Sequence, residues 1–479
     1  MKKLNILLIA GLIATVSSCT YTFPEDEAPT AGSADFTKVV AVGNSLTAGY
    51  MNGALYNDGQ AASYANIVAQ QIKLNGGGDF NQPDIDAQDG YFGLAPDGQT
   101  ILGRLHLVNP ASPAPAPIDQ GQAITPFGGD KGSLNNFGIP GIRIIHAGIA
   151  GYGMANPYFG RFASDPATTS QLADATAANG SFFMFWLGSN DALGYALDGA
   201  TGDTGGNNSD IMTPVADFDA AYTAAIDAMT ANGAKGIVAN IPSINDIPHF
   251  TTVPWNAIPM DQATADVANA GYDATYNAGL DLAVSVGAIT QAEADYRYIH
   301  FVEGDNGAVI QDETLTNLSS FGLPSMRMAS SDDLITLSAG AVLGTLEDSN
   351  KPGSVIGVGF PLAEQYTLTE ANQNDIAKRI ADFNAVIKSI ADSNSDLALL
   401  DINAIFADFA QNGTSVNGAG MDASILPPFG AFSLDGVHPN QRGSAYVASL
   451  FIDKINEVFG SNIPNVNPNN WAGNALPVP

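Results

Sequence analysis

This sequence of 479 residues contains a single cysteine and few positively charged side chains. Its single cysteine is Cys19, which excludes an intramolecular disulfide, a CxxC redox pair and a thiolate zinc site. It has 17 lysines and arginines against 48 acidic residues, for a formal net charge of −31. Nucleic-acid phosphates are bound by clustered Lys and Arg, so this charge excludes DNA and RNA as partners.

Several signatures of cofactor and metal chemistry are also missing. The chain has no G-x-G-x-x-G or P-loop motif for nucleotides, no H-E-x-x-H motif for zinc and no G-x-S-x-G elbow. We therefore predict that the protein uses no cofactor and no metal ion. The loop Asp198–Asp210 is rich in oxygen ligands and could hold calcium, but it lacks the EF-hand spacing. A Gly-rich loop is the favoured interpretation of that segment.

The first residues have the organisation of a secretion signal. Lys2 and Lys3 are followed by an apolar run, Leu4–Ala14, that is shorter than the about 20 residues needed to cross a bilayer. The small residues before Cys19 resemble the lipobox of bacterial lipoproteins, with Val16 at the position where Leu is commoner. The alternative is a plain signal peptide with a chance cysteine.

The lipobox resemblance implies a location as well as a modification. We expect a signal peptide at 1–18, a lipid on Cys19 and a flexible tether over 19–35. The protein would then be anchored in the cell envelope, in the bacterial outer membrane, where the acidic run Glu25–Glu27 resembles signals for surface export.

Beyond the tether, apolar runs alternate with helical periodicity, which predicts a parallel sheet with helices on both faces. Buried strands are predicted at 38–43, 181–187, 235–241 and 397–402, and amphipathic helices around 63–74, 218–229, 376–390 and 447–458. The run Ile142–Ala147 fits either a strand or a helix. Two segments interrupt the alternation, at about 75–133 and 243–368, and we interpret them as insertions in one domain spanning 36–479. The second could form a lid or cap.

Four polar segments stand at the ends of these predicted elements. They are Gly43–Gly49 (GNSLTAG), Asn136–Gly141 (NFGIPG), Gly188–Asp191 (GSND) and Asp435–Asn440 (DGVHPN). Parallel sheets hold their ligands at the carboxyl ends of the strands, where a serine after the first strand would lie. His438 has a carboxylate three residues earlier, a spacing that lets Asp435 orient the imidazole.

Together these four segments, in this order, resemble the SGNH hydrolases, also called GDSL esterases and lipases. The resemblance covers the chain from about Val39 to Phe459, apart from the insertions. It implies a three-layer α/β fold with a flavodoxin-like sheet. It also implies that Ser45 is the nucleophile, His438 the base and Asp435 its orienting partner. The implied oxyanion hole consists of the main-chain N–H groups of Ser45 and Gly141 and the side chain of Asn190.

One position departs from the family pattern, because Asn44 stands where the GDSL motif has Asp. That residue is not the proton acceptor, so we expect activity to survive. The predicted function is hydrolysis of carboxylic esters through an acyl-Ser45 intermediate, with an acyl lipid, a simple ester or an acetylated glycan as substrate. The alternatives are a carbohydrate O-acetyl esterase and a surface lipoprotein that binds a ligand without turnover.

Overall fold

A computed structural model describes residues 28–111, 113–202 and 211–477 of the chain. Its centre is a five-stranded sheet in which every pairing is parallel. The strands are β1 (Val39–Gly43), β2 (Asn136–Gly138), β3 (Phe182–Trp186), β4 (Lys235–Ala239) and β5 (Leu397–Leu400). They lie in the order β5-β4-β3-β1-β2. This is the order of flavodoxin-like sheets, so the predicted α/β class is confirmed and the sheet is consistent with the predicted topology.

The central strands are apolar along their whole length because both of their faces are covered. Every residue of β1 and β3 is buried. The two strands run in register, with Ala41 beside Met184. Alternate side chains enter two different cores: Val40 and Phe183 face one layer of helices, and Val39 and Phe182 face the other.

In the described part of the chain, the helices beside the sheet include α1 (Ser45–Ala48), α2 (Tyr64–Leu74), α3 (Gln171–Ala177), α4 (Asn190–Leu197), α5 (Val215–Thr230), α6 (Glu370–Ser393), α7 (Ile402–Asn412) and α8 (Gln441–Phe459). Two shorter helices lie at Asn57–Ala61 and Pro157–Gly160. α2 and α8 pack against each other over one face, where Tyr64 stacks on Phe451 with ring centroids 4.6 Å apart. α5 and α6 cover the other face, where Phe218 stacks on Phe383 at 3.9 Å.

The predicted helix boundaries correspond to specific caps. Ser63 accepts a hydrogen bond from the Asn66 amide at the start of α2. Thr369 and Asn372 form a reciprocal capping box at the start of α6. The ambiguous run Ile142–Ala147 is neither strand nor α-helix, because it contains only a short 3₁₀ turn at Ile144–His146.

The first insertion is built from short pairs of strands and turns. Gly93–Leu94 pairs with Ile101–Leu102, and Leu105–Val108 pairs with Ala114–Pro117, both antiparallel. The composition of Pro110–Pro117 (PASPAPAP) predicts a surface excursion with polyproline character, but Ala114–Pro117 forms a paired strand instead. Proline is tolerated there because this strand is the edge of a two-stranded ladder.

The second insertion has an apolar core of its own, separate from the two cores beside the sheet. It contains helices at Pro248–Thr251, Gln262–Tyr272, Ala278–Ser285 and Gln291–Arg297, the last three followed by short antiparallel pairs and turns. Its polar centre is Arg327, which is 1% exposed and pairs with Asp312 at 2.7 Å and Asp333 at 2.6 Å. Loss of either carboxylate would leave part of this buried charge unpaired, which would destabilise the unit.

The described part of the predicted tether is bound to the domain at its end. The Ser33 amide donates to the Phe459 carbonyl at 2.7 Å, and the Asn462 amide donates to the Thr30 carbonyl. The residues from 30 to 33 are thus docked beside the end of α8, and the predicted flexible tether does not extend over them. Cys19 and the signal segment lie outside the described residues. Within the described ranges, no helix combines the length and apolarity needed to cross a membrane.

Candidate active site

Ser45 lies at the tip of β1, on the first residue of a four-residue helix. Asn44 precedes it as the N-cap, and its side-chain oxygen accepts the Leu46 amide at 3.0 Å. Gly43 is required because a Cβ there would lie 1.9 Å from Thr47 Oγ1. The turn is therefore tight, and Asn44, where the GDSL motif has Asp, serves as the cap of the helix that carries the serine.

Ser45 and His438 are in direct contact although 393 positions separate them. The distance from His438 Nε2 to Ser45 Oγ is 2.8 Å, and His438 Nδ1 lies 3.1 Å from Asp435 Oδ2. The three residues that the sequence singled out as nucleophile, base and orienting acid are therefore brought together in one hydrogen-bonded chain.

The carboxylate of Asp435 is surrounded by donors. Its Oδ1 accepts the amides of Val437 and His438, each at 2.9 Å, and its Oδ2 accepts the Gly53 amide at 2.9 Å. Burial raises the pKa of Asp435, but the charge and hydrogen bonds of His438 and the bond from Val437 outweigh it. The pKa ends well below its usual range.

An ionised carboxylate only accepts hydrogen bonds, so it fixes the tautomer of the imidazole. The Asp435 carboxylate requires the proton of neutral His438 to be on Nδ1. Nε2 then presents its lone pair to the Ser45 hydroxyl. This arrangement can remove the hydroxyl proton when the serine attacks an electrophile.

The two further loops of the predicted site meet beside the nucleophile's strand. Gly141 has φ +79° and follows β2, and a Cβ on it would meet nothing within 4 Å. Asn190 begins α4, and its amide donates to the Ile142 carbonyl at 2.9 Å. The structure thus places Asn190 against the Gly141 loop. An amide carries two N–H groups, and this contact uses one of them.

Asp191 forms a second hydrogen-bonded contact with the loop that carries Gly141. It is fully buried, and it accepts the Ile144 amide and the Thr213 hydroxyl, each at 2.8 Å. Burial raises the pKa of Asp191 to about 6, against the opposing effect of these hydrogen bonds. The loop that carries Gly141 is therefore anchored to the residue that follows Asn190.

Several supporting residues gave no signal in the sequence. Gln171 is fully buried, and its amide donates to the carbonyls of Gly43 at 2.7 Å and Phe137 at 2.6 Å. These two bonds join the end of β1 to β2, close to Ser45 in the chain. As the first residue of an ordinary capped helix, it looks like a surface glutamine in the sequence.

The turn at Asn52–Gly53 is a second support that sequence reasoning missed. Asn52 has φ +54°. Its side-chain oxygen accepts the Leu434 amide at 2.9 Å, and its main-chain N–H donates to the Ser433 hydroxyl oxygen at 3.0 Å. Gly53 binds Asp435 as described. The Asn-Gly pair was a detectable turn signal, but its partner 382 positions away was not.

Aromatic and apolar surfaces flank the triad. The ring of Tyr50 lies 5.1 Å from the His438 imidazole and 6.1 Å from Tyr158. An apolar cavity of about 100 Å³ is lined by the chain neighbours of Ser45 and His438, although neither of those two residues lines it. Its lining includes Leu46, Trp186, Ile247, Phe406, Val437 and Pro439.

The remaining predicted features fall outside this site. Of the loop Asp198–Asp210, the residues from 203 to 210 lie outside the described part of the chain. Among the described residues, no group of three or more His, Cys, Asp or Glu side chains is placed to hold a metal ion. No protein-family model and no curated protein matches the chain.

The buried carboxyl of Asp191 generates a test of the anchoring contact by pH. Its folded pKa of about 6 exceeds its ordinary value of 3.8, so its contribution to stability is complete below about pH 4 and is lost as pH rises through 6. The difference corresponds to roughly 3 kcal/mol. We expect Asp191→Asn to gain stability relative to the wild type, by up to that amount, between about pH 4 and 7.

Urea denaturation at a series of pH values measures this difference. Asp305→Asn, which removes a carboxylate exposed in the second insertion, is the matched control. A difference between Asp191→Asn and the wild type that stays constant across the pH series would contradict the assigned pKa shift.

Proposed function

We propose that the protein is a serine esterase of the SGNH type that hydrolyses carboxylic esters. The observation that carries the proposal is the chain from Ser45 Oγ through His438 to the ionised Asp435 carboxylate, at 2.8 and 3.1 Å. The strand order of the sheet and the meeting of the Gly141 and Asn190 loops support the same assignment.

The proposed reaction proceeds in two steps. Ser45 Oγ attacks the ester carbonyl as its proton passes to His438 Nε2, and the imidazolium then protonates the departing alkoxide. Water then attacks the acyl-serine as its proton passes to the same nitrogen. The bond from the acyl carbon to Ser45 Oγ breaks, the imidazolium returns the proton to Ser45 Oγ, and the acid is released. Donors aimed at the oxyanion are needed in both steps, because losing one typically costs about 3–4 kcal/mol of barrier. The groups proposed for that role are the main-chain N–H groups of Ser45 and Gly141 and the side-chain amide of Asn190.

The acyl part of the substrate is proposed to be apolar and longer than acetyl. The supporting observation is the apolar cavity whose lining includes Leu46, next to the nucleophile, and Val437 and Pro439, on either side of the base. An acetyl group would leave such a cavity unused. Removal of acetyl groups from a glycan is the second candidate, favoured by the tyrosines Tyr50 and Tyr158 beside His438, since aromatic rings suit sugar faces.

The proposed location is the cell envelope, with a lipid on Cys19. α8 begins at Gln441, three residues after the base, and ends at Phe459, where Ser33 is bound. Its 19 residues span about 28 Å. The anchored segment would therefore join the domain at the end opposite to the site, which leaves the catalytic edge open to substrates away from the anchor.

Replacement of the nucleophile tests the assignment. We expect Ser45→Ala to lower ester hydrolysis by several orders of magnitude, because no other hydroxyl contacts His438 Nε2 among the described residues. The thermal midpoint should stay near that of the wild type, since the change removes one hydroxyl. Ser189→Ala is the matched control, because its buried hydroxyl has no hydrogen-bond partner in the described part of the chain. Full activity in Ser45→Ala would refute the proposal.

The substrate class is tested by a panel of esters on purified, unlipidated protein. The apolar cavity predicts that kcat/KM rises from acetyl to medium-chain p-nitrophenyl esters and exceeds the rate on acetylated xylan or pectin. A preference for acetylated glycan over every longer acyl ester would instead establish the second candidate.

A further inference from the structure

The second insertion reaches the catalytic loop through a histidine. His249 lies in the short helix Pro248–Thr251, near the start of the insertion. Its main-chain amide donates to the Gly436 carbonyl at 2.9 Å. Its imidazole also interacts with the main chain of Asp435. One residue thus contacts two consecutive residues of the loop that carries both Asp435 and His438.

The insertion packs so closely against this loop that there is no room for a side chain on Gly436. Gly436 has φ +72°, and a Cβ on it would lie 2.8 Å from His249 N, 3.0 Å from His249 Cα and 3.1 Å from Leu337 Cδ2. Leu337 comes from a different turn of the same insertion, Leu337–Ala341. Two segments of the insertion therefore pack against Gly436, which lies between Asp435 and His438 in the sequence.

The helix turn that presents His249 is itself fixed. Phe250 is 1% exposed and belongs to the core beside the sheet. Its ring lies 5.0 Å from the His249 imidazole. Because the Phe250 side chain is packed in the core, the helix turn is held in place, and His249 contacts the loop from a fixed position.

The ring of His249 has one polar partner among the described residues. Its Nε2 is buried without a hydrogen-bond partner, so we assign the interaction with the Asp435 main-chain carbonyl to Nδ1. Burial lowers the pKa of His249, and the nearby Asp435 opposes this only in part. The ring is therefore neutral at neutral pH, with its single proton on Nδ1 directed at the loop.

We propose that His249 is a positioning residue for the acid–base loop, which it holds through the carbonyls of Asp435 and Gly436 so that the His438 imidazole stays in line with Ser45. Among the described residues, His249 makes no hydrogen bond to Ser45 and is not part of the cavity lining, so it acts through the loop. The catalytic consequence rests on the proposed esterase function, whereas the mechanical consequence, an ordered loop, does not.

Three substitutions separate the contact from simple packing. His249→Phe keeps an aromatic ring and removes the donor. His249→Asn places an amide N–H where Nδ1 lies, and His249→Gln places its amide near Nε2 instead. His300→Phe, which removes an exposed histidine of the same insertion, is the matched control. A thermal melt of each variant checks that it is folded.

The first readout is amide hydrogen exchange at Val437 and His438, whose N–H groups bind Asp435 Oδ1. We expect about tenfold faster exchange in His249→Phe and His249→Gln, and a wild-type rate in His249→Asn and His300→Phe. The second readout is ester hydrolysis, where kcat should fall about tenfold or more in the first two variants with KM nearly unchanged, because a shift of about 1 Å at a catalytic group costs up to about 100-fold.

Each outcome decides the proposal. Unchanged exchange in His249→Phe would overturn it, and so would equal losses in His249→Asn and His249→Phe with matching falls in thermal midpoint, which indicate packing alone. If the exchange pattern follows the prediction but the wild type hydrolyses no ester, the positioning role stands and the esterase function fails.

Discussion

A carboxylate that remains charged in a largely enclosed loop is the constraint on which the site depends. Asp435 is desolvated, and an unpaired charge there would be costly. Three main-chain amides and the His438 imidazole offset that cost, and one of those amides comes from Gly53, eight residues after Ser45. The same bonds that keep the carboxylate ionised therefore also fix the imidazole and join the N-terminal and C-terminal parts of the domain at the proposed site.

The loops of the site converge because parallel strands deliver them to one edge of the sheet. β1, β2 and β3 lie side by side, and Ser45, Gly141 and Asn190 follow them. Buried polar side chains then remove the remaining freedom. Gln171 bridges the ends of β1 and β2, and Asp191 ties the Gly141 loop to the start of α4. Buried hydrogen bonds of this kind hold the side chains of a site in place before substrate binds.

Patterns that act locally in the chain were readable from the sequence. The apolar runs of β1 and β3, the caps Ser63 and Thr369 and the spacing from Asp435 to His438 all depend on near neighbours, and the structure contains each of them. The contact of Ser45 with His438 was predicted only through the resemblance of four segments taken together.

Contacts between distant segments were not readable, because nothing in a single segment specifies its partner. Gln171, Asn52 and His249 are ordinary polar residues in their local context, and their roles arise from carbonyls and amides far along the chain. The prediction of polyproline character for Pro110–Pro117 failed at Ala114–Pro117 for a related reason. The pairing of that strand with Leu105–Val108 depends on the partner strand rather than on its own composition.

The most direct measurement of the central claim is the site of attachment of a fluorophosphonate, which reacts with a serine only when a base activates it. Mass mapping of the labelled wild-type protein should find one adduct, on Ser45, and labelling should fall by orders of magnitude in Asp435→Asn, where the imidazole loses the carboxylate that sets its tautomer. An unlabelled Ser45 in the folded wild-type protein would contradict the account.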